Sequence, residues 1–98
     1  MSTFLADIEL KNSFSPAFLK LIPLQRKQVD ELMNQGVIIS YALAIDRSKL
    51  WVTFEAKDEN EVLDVLAGFP LIHFMIPEII ELAFQDSIHS GFPQLSLN

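Results

Sequence analysis

The sequence predicts an α+β domain whose elements follow the order β-α-β-β-α-β. Three observations carry that expectation. Apolar residues alternate at Phe4, Ala6, Ile8 and Leu10, the period of a strand with one apolar face. Two later stretches each carry a helix start and a helix stop. Between and after them lie strand-like runs, two of which are joined by a short polar turn.

In chain order, Phe4 to Leu10 forms the first strand, with Leu5, Asp7 and Glu9 on its other side. Ser15 as N-cap and Pro16 at the first helical position then begin a helix that runs to about Gln35. Phe18, Leu21, Ile22, Gln25, Val29, Leu32 and Met33 trace a mostly apolar stripe along it. Pro23 lies inside and is expected to kink the helix or split it. Gly36 is its stop. Val37 to Ile45 is nearly all apolar, with Ile39, Tyr41, Leu43 and Ile45 on one side and Ile38, Ser40, Ala42 and Ala44 on the other. It reads as a strand covered on both faces. Asp46-Arg47-Ser48-Lys49 is a turn, and Leu50 to Ala56 returns as the second strand of a hairpin. There Leu50, Val52 and Phe54 oppose Trp51, Thr53 and Glu55. Asp58 and Glu61 form a pair like a capping box ahead of a second helix. That helix turns Val62, Val65 and Leu66 inward and is closed by Gly68 and Pro70. Pro77 to Phe84 is the last strand, and its proline points to a strand start or a sheet edge. Residues 85–98 form a tail, either loose or laid over a neighbour.

One antiparallel sheet with both helices on one face, the ferredoxin-like layout, satisfies these patterns economically. All 98 residues are expected to form one such domain. The other sheet face is then uncovered. Pairing sheet to sheet with a second copy would hide it, so a homodimer or a larger homo-oligomer is expected. A mean hydropathy of +0.29 points the same way.

Composition removes several function classes. Half the residues are hydrophobic, which supports a core and excludes intrinsic disorder. No cysteine is present, so disulfide scaffolds, thiolate zinc sites and cysteine nucleophiles are excluded. Thirteen acids against seven bases give a net charge of −6, which argues against nucleic-acid binding. The N-terminal residues lack the basic and apolar regions of a signal peptide. The apolar stretch from Val62 to Phe84 is broken by Asp64, Pro70, His73, Pro77, Glu78 and Glu81, so no membrane span is expected. The default compartment is the cytoplasm. No glycine-rich phosphate loop and no Gly-x-Ser-x-Gly elbow occur. The two histidines, His73 and His89, have no carboxylate at helical spacing, so no metal site is expected.

The segment Gly68-Phe69-Pro70-Leu71-Ile72-His73-Phe74-Met75, followed by Glu78, resembles a signature of the muconolactone isomerase family. In that family a Gly-x-Pro-Leu run, an aromatic and a Met end the second helix and lead to a strand carrying an acid. Asp30-Glu31-Leu32, Gly36, the hairpin through Arg47, Phe54 and Glu61 fall at matching offsets without a gap, from about Asp30 to Gln85. The resemblance implies a ferredoxin-like domain paired into a dimeric α+β barrel. It also implies a cleft between sheet and helices that handles a small unsaturated lactone acid. The implied reaction is a cofactor-free proton shift that moves a double bond, which needs a base beside the carbon acid and a stabiliser for the enolate. The chain departs from the family in three places. Val37-Ile38-Ile39-Ser40 replaces a charged and aromatic run, Gln25 stands at an acid, and His73 stands where Pro is usual. A second expectation follows, a non-catalytic oligomer that binds a small ligand on the same scaffold.

His73, just past a helix stop, is a candidate base tunable near neutral pH, or else a loop histidine bonded to a carbonyl. Glu78, which the family pattern carries, and Glu55 lie on strands beside apolar neighbours and are expected opposite each other or a base. Tyr41, the only tyrosine, is a candidate enolate donor or a core residue with a satisfied tip. Arg26 and Arg47, with Lys27, are the cations near enough to hold an anionic substrate. Asp7 and Glu9 are either bases inside a dimer barrel or surface carboxylates, with Lys11 as a partner.

Overall fold

A computed structural model describes residues 1–86. Strand β1 (Ser2–Leu10) leads to α1 (Pro16–Asn34), then β2 (Ile38–Leu43), β3 (Lys49–Ala56), α2 (Glu59–Ala67), a short 3-10 turn (Ile72–Phe74) and β4 (Met75–Leu82). The four strands form one antiparallel sheet in the order β2-β3-β1-β4, the βαββαβ arrangement expected from the sequence. The tail motif Ser90-Gly91-Phe92-Pro93 and His89 lie outside the described residues.

One sheet face carries Phe4, Ala6, Ile8 and Leu10 from β1 and Leu50, Val52 and Phe54 from β3, all buried. Phe18 and Val29 of α1 and Val62 and Leu66 of α2 pack into the same core, so both helices cover this face. The opposite face presents Thr3, Leu5, Asp7 and Glu9 of β1, Lys49, Trp51, Thr53 and Glu55 of β3, and Ile76, Glu78, Ile80 and Leu82 of β4. No helix covers it among the described residues.

The α1 start is as expected: Ser15 Oγ accepts from Phe18 N at 3.2 Å, with Pro16 at the first helical position. The helix is not split at Pro23. Pro23 lies on the exposed side, where solvent can take up the Leu19 carbonyl that a proline leaves without an N–H. At the other end Gly36 adopts φ 77°, Gly36 N donates to Met33 O at 3.0 Å, and Val37 N donates to Leu32 O at 2.9 Å. These two bonds are the Schellman motif, and they turn the chain into β2.

Strand β2 departs from expectation. It is an edge strand, and Ile39 and Leu43 are 41% and 50% exposed, so it is not covered on both faces. A run of apolar residues does not by itself say how many faces are buried. The register also slips between Ile38 and Ser40, so Ile38, Tyr41 and Leu43 share the helix-side face with Phe54, Val52 and Leu50. The alternation expected for an unbroken strand, with Ile38 opposite Tyr41, fails here because the bulge reverses the parity between them.

The hairpin, the second helix and the last strand follow the sequence closely. Asp58 Oδ1 accepts from Glu61 N at 2.9 Å, while Glu61 Oε1 accepts from Lys57 N at 2.8 Å. The reciprocal bond thus reaches one residue further back than a capping box does. Strand β4 begins at Met75, and Pro77 lies within it on the sheet edge, opposite Ile8.

Candidate ligand-binding cleft

The cleft lies between α1 and the β2–β3 hairpin. Its cavity of about 130 Å³ is lined by Leu10, Phe18, Ile22, Leu43, Leu50 and Leu71, with four polar side chains, Gln25, Arg26, Tyr41 and Arg47. An adjoining cavity of about 250 Å³ shares Arg26 and Tyr41 and adds Val29, Asp30 and Met33. Apolar walls with a few converging polar groups are the usual make-up of a small-molecule site.

Each polar group is placed by local structure. Gln25 and Arg26 sit mid-helix on α1, where Gln25 occupies a core-facing position in line with Leu21 and Val29 and is 2% exposed. Its Oε1 accepts from Leu71 N at 3.2 Å, and its Nε2 donates to the Tyr41 hydroxyl at a long 3.4 Å. Burial pushes the Tyr41 phenol above its ordinary value, while the bond from Gln25 and the charge of Arg26 pull it the other way. Tyr41 is therefore a neutral donor at neutral pH.

Arg47 sits at the hairpin tip with φ 62°. The tip is held by Asp46, whose Oδ1 accepts from Ser48 N at 2.9 Å and from Ser48 Oγ at 2.7 Å. Those bonds, the hydroxyl's first, hold the Asp46 carboxyl below the ordinary aspartate value. Leu10 N donates to Ser48 O at 3.0 Å and ties the tip to the end of β1. The Arg47 guanidinium carbon stands 5.3 Å from the centre of the Phe14 ring.

Three of the residues singled out from the sequence, Tyr41, Arg26 and Arg47, therefore meet at one cleft. The other three do not. His73 is exposed on the 3-10 turn and does not line either cavity. Glu55 and Glu78 lie on the uncovered sheet face, away from the helices. They are not opposite each other: Glu55 faces Thr3 and Glu78 faces Asp7, four positions along β1. Glu55 accepts from Thr3 Oγ1 at 2.7 Å. Asp7 pairs with Lys49 at 2.6 Å, not with Lys11. No well-aligned hydrogen bond reaches that Asp7 oxygen, but the ammonium beside it meets its charge, so we count the group as paired.

In the sequence Gln25 stands within the apolar stripe of α1 and at the place of a family acid, with no site role of its own. Its signal was a polar residue inside an apolar helical stripe. Asp30 and Leu71 stand in the sequence only as parts of the family resemblance, and chain folding brings them to the cleft.

A family profile described as muconolactone delta-isomerase matches residues 5–87. No match is found among curated proteins. No helix among the described residues is long and apolar enough to cross a membrane. The profile spans both β-α-β halves of the chain, and the sheet order and the two helices agree with it, so this chain belongs to the muconolactone delta-isomerase family.

Proposed function

We propose that the cleft binds a small unsaturated carboxylic acid or lactone and moves a double bond within it. The supporting observation is the convergence of Arg26, Arg47 and the Tyr41 hydroxyl, with Gln25 behind it, on a cavity whose other walls are apolar. The guanidiniums take the ligand carboxylate by charge-assisted hydrogen bonds, and the aliphatic walls take its carbon skeleton. A base removes a proton from the carbon attached to the end of the double bond remote from the carbonyl, and the C–H electron pair enters the conjugated π system. The charge that develops on the carbonyl oxygen is met by the Tyr41 hydroxyl. The proton then returns to a different carbon, and the double bond has moved with no change in oxidation state. Asp30, which lines the adjoining cavity beside Arg26 and Tyr41, takes the part of proton acceptor.

Titration calorimetry with muconolactone tests the binding step, and proton NMR of the mixture in deuterium oxide tests the chemistry. The wild type is expected to bind, to exchange deuterium into the ligand and to form the isomer. Arg26→Ala is expected to weaken binding, and Asp30→Asn to stop exchange with binding intact. No heat and no exchange from the wild type would sink the proposal. A second reading, binding without turnover, is favoured by one observation: the residues lining the smaller cavity include no carboxylate and no imidazole. Binding with no deuterium exchange would select it.

We also infer that the uncovered sheet face meets a second copy of the chain. Trp51, Ile76 and Ile80 on that face are 37%, 44% and 40% exposed, a run of apolar surface that pairing would hide.

A further inference from the structure

We propose that Gln25 fixes the Tyr41 hydroxyl as a hydrogen-bond acceptor, so that the phenol proton is offered to the cleft. The cleft thereby selects ligands that present an oxygen acceptor, a carbonyl or carboxylate, at that point. The proposal rests on reading the cleft as a ligand site and names what Tyr41 demands there.

The argument begins at the Leu71 backbone. An N–H group can only donate, so the Gln25 atom 3.2 Å from Leu71 N must be the amide oxygen. The amide nitrogen is then the atom that faces Tyr41 at 3.4 Å, and it too can only donate. The orientation is set by the lead-in to the 3-10 turn, where Ile72 N donates to Phe69 O and Phe74 N donates to Leu71 O. It is a property of the fold, present before any ligand arrives. Gln25 is 2% exposed, so water does not compete for its amide.

A phenol carries one proton and can accept as well as donate. Having accepted from Gln25, Tyr41 keeps its proton, and among the described residues it donates to no side chain. The other polar groups lining the cavity are the guanidiniums of Arg26 and Arg47, which also only donate. A ligand carbonyl placed there would meet three donors, whereas a ligand ammonium would face the two guanidinium charges. Gln25 is thus a positioning residue that acts through Tyr41. A carboxylate in its place would accept the Tyr41 proton and withdraw it from the ligand.

The single tyrosine makes the test direct, because tyrosinate absorbance at alkaline pH reads Tyr41 alone. Gln25→Met keeps the length of the side chain and removes the donor that favours phenolate. The Tyr41 ionisation midpoint is expected to rise. A midpoint that falls or stays in place overturns the proposal, since a fall means that the amide oxygen was holding the phenol proton. The unaltered protein supplies a second measurement should that variant not fold: nuclear Overhauser contacts from the Gln25 amide protons to the Tyr41 ring are expected, and their absence overturns the proposal.

The ligand arm uses an unsubstituted butenolide, a neutral lactone with a ring carbonyl and no carboxylate. Tyr41→Phe is expected to weaken its binding by about fivefold, the worth of one hydrogen bond. Equal affinity for wild type and variant overturns the selection of acceptors. If muconolactone fails to bind while the midpoint rises and the butenolide weakens, the lactone-acid reading falls and the role of Gln25 stands.

Discussion

Two glycines at the ends of the two helices should respond to the same substitution with opposite signs. Gly36 follows α1 at φ 77°, in the left-handed region, and a Cβ added there meets nothing within 4 Å. Alanine at this position therefore meets no clash, and its cost is purely that of backbone conformation, about 1–2 kcal/mol for an L residue held left-handed. Alanine also narrows the unfolded ensemble, which returns about 0.4–1 kcal/mol. The net expectation for Gly36→Ala is a loss of about 1 kcal/mol, or about 4–8 °C in the melting midpoint of a domain this size. Gly68 closes α2 at φ −89°, where any residue is at ease. A Cβ there sits 3.5 Å from Gln28 Nε2 and from Val65 O, an ordinary contact. Only the unfolded-state effect remains, so Gly68→Ala is expected to gain about 0.4–1 kcal/mol. Urea unfolding followed by far-ultraviolet circular dichroism would read both. If Gly36→Ala were neutral or stabilising with an unchanged denaturant slope, the Schellman geometry assigned to this turn would be wrong.

Four further outcomes are expected. Calorimetry with muconolactone should show His73→Ala and Glu78→Ala unchanged, because neither residue lines a cavity, while Arg47→Ala weakens binding by about tenfold or more; loss of binding in Glu78→Ala would move the site to the other sheet face. The Asp46 carboxyl should titrate below an ordinary aspartate in a carbon-13 NMR series, and Ser48→Ala should bring it back up. Because the folded-state pKa is the lower one, the turn's contribution is present above the ordinary carboxylate value and is lost as pH falls through the Asp46 midpoint. Ile8→Ala, at a fully buried position on the helix side, should cost about 2–5 kcal/mol in urea. Ile80→Lys on the uncovered face should leave the fold intact and lower the sedimentation coefficient, and a wild type that already sediments as a monomer would refute pairing through that face.

Local patterns were enough for β1, both helix starts, the hairpin and the presence of β4, because each has a short-range cause. Alternation at Phe4, Ala6, Ile8 and Leu10 needs no partner to be read, and neither does Ser15 before Pro16. Burial of β2 could not be read this way, since Ile39 and Leu43 look like core residues until the neighbouring strands are known. The candidate residues divide along the same line. Tyr41, Arg26 and Arg47 were picked by chemical type and meet in space. Glu55 and Glu78 were picked in the same manner, but their strand parity sends them to the face away from the cleft. The bond between Leu71 and Gln25 joins residues 46 apart in the chain, a distance at which no local rule operates.

The extra residue in β2 makes the cleft and the core mutually compatible. Ile38 and Tyr41 are an odd number of residues apart, and a regular strand would send them to opposite sides of the sheet. With the slip at Ile39, the end of the strand beside Gly36 can anchor in the core while the end beside the hairpin turns its phenol toward Gln25. The two ends thus answer to different masters, one to the helix stop and one to the hairpin. A regular strand that kept Ile39 would force a choice between a buried Ile38 and a phenol in the cleft. A relative of this chain with the same spacing but an unbroken second strand would need to build its polar cleft from a different position.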